Sequence, residues 1–128
     1  MTESTVRPRQ LTANELGILK RILQAGDFLG APVLLAQLTT IRVVGGITTF
    51  LDLAVDGAPA PAGRPGGPVP VKALVYGKSR ELIGEILVWV TDGYLSSLEF
   101  AWFSTDMPSE FPRLEQLDIA GAENHRRR

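Results

Sequence analysis

The chain has 128 residues and a mass of 13.9 kDa, which is the size of a single domain. Thirteen basic and fourteen acidic residues nearly cancel, so the net charge does not favour a nucleic-acid or anionic-membrane partner. The chain contains no cysteine, and its single histidine, His125, is among the last four residues. This composition excludes disulfides, thiol nucleophiles and cysteine-ligated metals, and it argues against a histidine-ligated metal or a Ser-His-Asp triad. We therefore expect no metal site, no cofactor and no catalytic residue.

The chain also lacks the usual signals for membrane insertion or export. Its apolar runs are shorter than the roughly 20 residues that a membrane span requires. Residues 1–9 have no apolar stretch of the kind found in a secretory signal. We therefore predict a cytoplasmic protein without a membrane partner.

Residues 1–10 are polar and are predicted to be a mobile lead-in to one domain over 11–120. Thr12 and Glu15 form the spacing of a capping box, which predicts that a helix begins there. Apolar residues then recur at helical spacing up to Gly26, which is predicted to end the helix. A second, shorter helix is predicted from Gly30, because Pro32 is tolerated in a first helical turn.

The pattern changes to a strand period after the second helix. Residues 47–55 alternate between apolar and polar side chains and are predicted to form one strand, with Gly45-Gly46 as a turn or bulge before it. Residues 56–70 hold five of the nine prolines and four of the thirteen glycines, so they are predicted to be a long exposed loop. Val69 to Tyr76 is predicted as the next strand.

Asp92-Gly93 is the strongest long-range signal, since this dipeptide between two β-rich runs favours a two-residue hairpin turn. The turn predicts a hairpin of 82–91 and 94–103 in which Ile86 faces Glu99. In that register one face holds four aromatic residues, which we predict to be an interaction surface. They are Trp89, Tyr94, Phe100 and Trp102.

Neither face of the predicted hairpin is polar, so both are expected to be covered. One face can receive the two helices. The aromatic face needs the proline-rich loop, the C-terminal segment or another chain, and an apolar face of this kind is typical of a core or a homodimer contact.

Carboxylates are the remaining candidates for catalysis. In the predicted register Glu85 and Glu99 point to opposite faces, so they do not form an acid/base pair. Glu99 is predicted to be a buried carboxylate with Arg42, Arg80 or a backbone N–H as its partner. No spacing of acidic residues supports a calcium site.

The C-terminal part is predicted to contain a short edge strand over 114–119 and a polar basic tail over 121–128. The tail ends in Arg126-Arg127-Arg128, which without interleaved aromatic residues indicates a solubilising end rather than a nucleic-acid site.

The order of segments resembles a widespread group of small uncharacterised bacterial α+β proteins, which have an N-terminal helix pair and an antiparallel sheet. The resemblance covers roughly 11–119 and is carried by Leu-Thr-x-x-Glu-Leu at 11–16, Asp-Phe-Leu-Gly at 27–30, Leu-Asp-Leu-Ala-Val at 51–55 and Asp-Gly-x-Leu-x-x-Leu-Glu at 92–99. Immunity proteins of bacterial polymorphic toxin systems are similarly built. The resemblance implies a fold and protein–protein interaction, and it brings no active-site residues.

Together these observations predict an α+β domain in which two N-terminal helices pack on an antiparallel sheet of about four to six strands. The favoured function is a non-enzymatic protein-binding domain, with a toxin-neutralising immunity protein as one form of it. Two alternatives stay open. One is a small-ligand-binding protein or carboxylate-dependent enzyme with a pocket under the 56–70 loop, and the other is a homodimeric structural domain.

Overall fold

The computed structural model describes residues 5–57 and 59–119, which form an α+β fold with two α-helices and one antiparallel sheet. The helices are α1 (Ala13–Leu23) and α2 (Ala31–Gln37), and a short 3-10 helix covers Leu114–Gln116. The strands are β1 (Ile41–Ile47), β2 (Phe50–Val55), β3 (Gly67–Pro68), β4 (Ala73–Tyr76), β5 (Leu82–Thr91), β6 (Tyr94–Trp102) and β7 (Leu117–Ile119). The order across the sheet is β1-β2-β6-β5-β4-β7, and β3 pairs with β5.

The predicted capping box is confirmed at the start of α1. The Thr12 hydroxyl accepts a hydrogen bond from the Glu15 backbone N–H at 3.1 Å, and the Glu15 carboxylate accepts one from the Thr12 N–H at 2.9 Å. Arg9 also donates to both oxygens of the Glu15 carboxylate, at 2.9 and 2.8 Å. The helix ends at Leu23, before the predicted stop at Gly26, because Gln24 already caps it.

Ionisation of Glu15 is coupled to this network. Burial alone raises the pKa of Glu15, but the hydrogen bonds from Arg9 and Thr12 outweigh burial and hold that pKa below its ordinary value. The hydrogen bond to Glu15 raises the pKa of Arg9. The pair therefore stays charged at neutral pH and fixes the chain that enters α1.

Part of the predicted lead-in takes part in the fold. Thr5 donates its backbone N–H to the Gly46 carbonyl at 2.8 Å, and Arg9 pairs with Val43 in an isolated antiparallel bridge. The segment therefore lies along the outer edge of β1 and occupies backbone groups that an edge strand would otherwise leave unpaired.

The prediction of one strand over 47–55 is wrong, because a turn at Thr48-Thr49 divides the segment into the end of β1 and all of β2. Gly45-Gly46 is not the turn: the register shifts between Val43 and Gly45, so Val44 is the extra residue of a bulge that Gly45 follows. Gly46 has a φ of 108°, and a Cβ there would collide with the Phe50 carbonyl, so this position requires glycine. The alternating pattern of 47–55 runs through the turn at Thr48-Thr49 and therefore does not reveal it.

The proline- and glycine-rich segment 56–70 is not one exposed loop in its described part, which excludes Ala58. Gly67 and Pro68 form β3, so the sheet has seven strands rather than the four to six expected. Ala62 and Val69 are buried in the core. Of the predicted strand 69–76, only Ala73–Tyr76 forms β4, and the 114–119 segment forms the 3-10 helix followed by β7.

The two faces of the sheet differ in burial. On the inner face, side chains of the strands pack with α1 and α2 in one apolar core. This core includes Val43, Leu51, Leu53, Val75, Ile86, Val88, Leu98, Phe100, Leu117 and Ile119. The side chains that alternate with these on the outer face are half-buried or exposed, which is the usual state of a sheet that is covered on one side.

The predicted tail over 121–128, with its three arginines, lies outside the described residues. Within the described ranges, neither helix is long and apolar enough to cross a membrane.

Candidate functional site

The Asp92-Gly93 turn forms as predicted, but the register of the hairpin changes three residues away from it. Asp92 and Gly93 have φ values of 54° and 85°, as this turn requires. Thr91 faces Tyr94 as predicted, whereas an extra residue in β6 then makes Leu87, not Ile86, the partner of Glu99. This β-bulge reverses the faces of β6 relative to β5 for the rest of the hairpin.

As a result, the four residues predicted to form one interaction surface do not share a face. Phe100 and Trp102 point to the inner face, where Trp102 lies opposite Gly84. Trp89 and Tyr94 lie on the outer face, among the half-buried side chains.

The two outer-face aromatics have polar partners within the chain. Trp89 donates its indole N–H to the Glu99 carboxylate at 2.9 Å, and the Tyr94 hydroxyl donates to the Pro59 carbonyl at 2.9 Å. The predicted partners of Glu99, an arginine or a backbone N–H, are therefore wrong: the bulge places Glu99 on the face of Trp89, where it is half-buried. The expected separation of Glu85 and Glu99 is wrong for the same reason, and both lie on the outer face.

Glu85 also lines a small outer-face cavity of about 280 Å³ together with Lys72 and Leu87. Its other lining residues, Val69, Pro70 and Val71, belong to the end of the proline-rich segment and the residues that follow it. Of the two candidate carboxylates, Glu85 is therefore the one that lines a cavity next to the 56–70 segment, where a ligand pocket was predicted.

The turn end of the hairpin, by which we mean residues 89–97 around the turn, is bonded to the rest of the fold. The buried Gln37 side chain donates to the carbonyls of Gly93 and Ala60, at 3.0 and 3.1 Å, and accepts from the Leu95 N–H at 3.0 Å. Ala62 donates its N–H to the Gly93 carbonyl at 2.7 Å. Gln37 thereby bonds α2, the proline-rich segment and the hairpin to one another, and all its polar atoms have partners.

A cavity of about 820 Å³, here called the aromatic cleft, lies at the opposite, open end of the hairpin, where β5 begins and β6 ends. Phe100 forms its floor with Phe111, in an edge-to-face contact with ring centroids 6.2 Å apart. Gly84 leaves room for the Phe100 ring, because a Cβ there would lie 2.6 Å from the Phe100 Cε1 atom. The floor therefore depends on a glycine in the neighbouring strand.

The far wall of the cleft is the segment 104–113, which is anchored at one end to α1. Asn14 donates its side-chain amide to the Pro112 carbonyl at 2.8 Å and accepts from the Leu114 N–H at 2.8 Å. Leu114 also packs closely against Gly17. These contacts fix Phe111 and Arg113 relative to the helix layer.

Large apolar side chains are exposed around this cleft. Leu82, Phe103 and Met107 line it and are 43%, 57% and 51% exposed. Trp102 also lines it, and unlike Trp89 its indole N–H donates to no described residue and is not enclosed. The cleft thus offers apolar surface together with a free hydrogen-bond donor, the combination that makes tryptophan a frequent interface residue.

The rim of the cleft carries charges of both signs. Lys78 and Arg113 are basic, and Glu81, Asp106 and Glu110 are acidic. Ser104 donates its hydroxyl to the backbone carbonyl of Asp106 rather than to a side chain that could act as a base. Within residues 5–57 and 59–119, no group of three or more His, Cys, Asp or Glu side chains could hold a metal ion. The Ser104 hydroxyl in this rim is therefore not in contact with a side-chain base among the described residues.

Two of the predicted aromatic residues, Phe100 and Trp102, line this cleft. The sequence did not indicate the other four, Leu82, Phe103, Met107 and Phe111. Met107 and Phe111 each precede a proline, in a segment without a strand or helix pattern. Large apolar side chains in such a loop are the sequence feature that could have identified them as part of the cleft.

No protein-family model matches the chain, and no curated protein and no solved structure is significantly similar to it. The resemblance to small bacterial α+β proteins therefore stays a prediction, and the proposed function is argued from the geometry of this chain.

Proposed function

We propose that the protein is a non-enzymatic protein-binding domain whose aromatic cleft receives an apolar segment of a partner protein. One observation carries this proposal. Within the described chain four large apolar residues are exposed, and three of them line the same cleft. Single exposed apolar residues are ordinary on a protein surface, whereas a contiguous group marks a place that another molecule covers.

The energetics support an apolar anchor in this position. Covering a half-exposed phenylalanine or methionine contributes about 1 kcal/mol, and fully burying one apolar side chain of the partner adds roughly 2 kcal/mol. Phe100 and Phe111 supply a rigid floor, which lowers the cost of ordering the site on binding. A free Trp102 N–H adds a directed hydrogen bond to the backbone of the partner.

Toxin neutralisation is one role that such a domain would serve, and it is supported by the resemblance in segment order. Self-association is the other form of partner binding, with the cleft of one copy covered by a second copy. Sedimentation of the cleft variants distinguishes self-association from binding of another protein.

Binding of a small ligand is the second candidate, and the outer-face cavity beside Glu85 and Lys72 favours it. That cavity places a carboxylate and an amine at the end of the proline-rich segment. Its volume of about 280 Å³ lies just below the usual range for ligand pockets, about 300–1,000 Å³, whereas the aromatic cleft lies inside it.

The test is affinity purification of the tagged chain from its own source cells, followed by mass spectrometry and calorimetry with each recovered partner. We expect Phe103→Ser and Met107→Ser to weaken binding of a genuine partner about tenfold or more. Leu29→Ser is the matched control, because Leu29 is 65% exposed and does not line the cleft. Equal affinities for the Phe103→Ser and Leu29→Ser variants would contradict the proposal.

Sedimentation of the same variants separates self-association from binding of another protein. A dimer that Phe103→Ser dissociates would assign the cleft to a homodimer, whereas a monomer in both variants supports a different polypeptide as the partner.

A further inference from the structure

A second cavity, of about 700 Å³, adjoins the aromatic cleft and differs from it in charge. The two share Lys78, Arg113 and Gln116 as lining residues, so they are neighbouring parts of one groove. The second cavity adds Arg80, and it is called here the basic groove. Three cations line it against two carboxylates, those of Glu115 and Asp118.

None of the three cations forms an ion pair with another described residue. The ion pairs of the described chain join Arg9 to Glu15 and Arg42 to Asp56. Glu81 is near in sequence, but its carboxylate accepts a hydrogen bond from the Ser79 backbone N–H at 3.0 Å. Lys78, Arg80 and Arg113 are therefore available to an external anion.

The backbone that presents these cations is held firmly. Gly77 donates its N–H to the Glu81 carbonyl at 2.8 Å, and Arg80 donates to the Gly77 carbonyl at 3.0 Å. Arg80 has a φ of 67°, a left-handed conformation that is unusual for arginine and that such a closed turn maintains. A fixed turn presents its charges without a further loss of backbone freedom on binding.

Arg113 is tied to the same turn through Gln116. The Gln116 amide donates to the Tyr76 carbonyl at 3.1 Å, and its carbonyl oxygen accepts from the Arg113 N–H at 2.8 Å. The aromatic cleft and the basic groove therefore share one fixed wall.

We infer that the partner segment is apolar and acidic: its apolar anchor enters the aromatic cleft, and carboxylates next to that anchor lie on Lys78, Arg80 and Arg113. This inference rests on the proposed function and adds the chemistry of the partner. Carboxylates are the complementary groups because arginine binds them through paired, charge-assisted hydrogen bonds. Asp106 and Glu110 line the aromatic cleft but not the basic groove, so the charge changes along the joined groove and sets the direction of the bound segment.

The experiment is selection of a phage-displayed library of random short peptides on the immobilised full chain, with parallel selections on three variants. One is Phe103→Ser. The second carries Lys78→Glu with Arg80→Glu, which are both exposed positions. The third carries Lys20→Glu with Arg21→Glu, a matched reversal of an exposed lysine and arginine that line neither the cleft, the basic groove nor the outer-face cavity.

We expect the full chain to enrich peptides in which an apolar or aromatic residue is followed or preceded by Asp or Glu. A synthetic copy of the most enriched peptide, measured by fluorescence anisotropy, should bind the charge-reversed double variant about tenfold more weakly. Its affinity for the original chain should fall as salt is raised, because the ion pairs are partly exposed. The variant with Lys20→Glu and Arg21→Glu should bind it as the original chain does.

The outcomes separate the two proposals. Peptides that depend on Phe103 but show no excess of acidic residues would overturn the inference and leave the proposed function in place. Acidic peptides that bind the double variant unchanged would also overturn the inference. If the full chain enriches no more than the Phe103→Ser variant does, the proposed function fails, and the inference fails with it.

Discussion

Both ends of the β5–β6 hairpin carry aromatic side chains, including one tryptophan each, but the two ends differ in hydrogen bonding and exposure. At the turn end, Gln37, Ala62 and the Tyr94 hydroxyl are all engaged in hydrogen bonds, and Trp89 is bonded to Glu99. At the open end, the N–H of Trp102 has no partner in the described chain, and apolar side chains are exposed. The hydrogen bonds at the turn end stabilise the fold, whereas the open end is the part that we propose binds a partner.

The two strands of the hairpin also differ in their outer pairing at the open end. Phe50–Asp52 of β2 pair with 97–99 of β6, so the last residues of β6 extend beyond that contact. On the other side, β4 pairs with β5 as far as Leu82, yet Leu82 and Phe103 stay exposed where the hairpin ends.

The largest expected effect is at the turn end. We expect Gln37→Leu to lower the free energy of unfolding by about 3 kcal/mol, because it leaves the buried Leu95 N–H and the Gly93 carbonyl without their side-chain partner. Urea unfolding measures it, with the exposed Gln24→Leu as the matched control. A loss below about 1 kcal/mol would show that the turn end is not held by this glutamine.

A smaller effect is expected at the turn itself. Gly93→Ala should cost about 2 kcal/mol, because Gly93 has a φ of 85° and a Cβ there would lie 2.6 Å from the Ala62 carbonyl oxygen. Gly57→Ala separates the two causes: Gly57 has a φ of 79° but no atom near the Cβ position, so it should cost about 1 kcal/mol. Equal losses in thermal unfolding would mean that the contact with the proline-rich segment adds nothing.

The third effect is the pH dependence of the stability that Glu15 contributes at the start of α1, next to Asn14. The pKa of Glu15 is lower in the folded chain than its ordinary value near 4.5, so its contribution to stability is present above that value and is lost as pH falls through the folded pKa. Glu15→Gln should therefore be less stable by about 1 kcal/mol at neutral pH. The difference should shrink in acid. A difference that does not change with pH would contradict this assignment.

The smallest effect on stability is expected at the open end. Phe103→Ser should change the free energy of unfolding by less than about 0.5 kcal/mol, because its side chain is more than half exposed, while it weakens partner binding. A large loss of stability would show that Phe103 contributes to the fold, as the residues of the turn end do.

The sequence predicted the parts of the fold that depend on local chemistry. Thr12 with Glu15 predicted where α1 begins, and Asp92-Gly93 predicted the turn, since each is a short-range arrangement with few alternatives. The bulge opposite Trp89 was not predictable, because an extra residue in β6 changes no local sequence pattern.

The same bulge explains why the predicted aromatic surface is divided. It moved Phe100 and Trp102 to the face opposite Trp89 and brought Glu85 and Glu99 to one face. Exposure of Phe103 depends on how far β6 extends past its pairing with β2, which is a property of the assembled sheet.

The chain has two tryptophans, and they mark the two regions, so their indole N–H signals in a ¹H–¹⁵N NMR spectrum test the central claim most directly. The titrant is the purified partner or the most enriched peptide, and Trp89→Phe assigns the signals. We predict that the Trp102 signal shifts on binding while that of Trp89, bonded to Glu99, stays in place. A shift confined to Trp89 would contradict the account, because it would place the binding surface on the outer face and at the turn end.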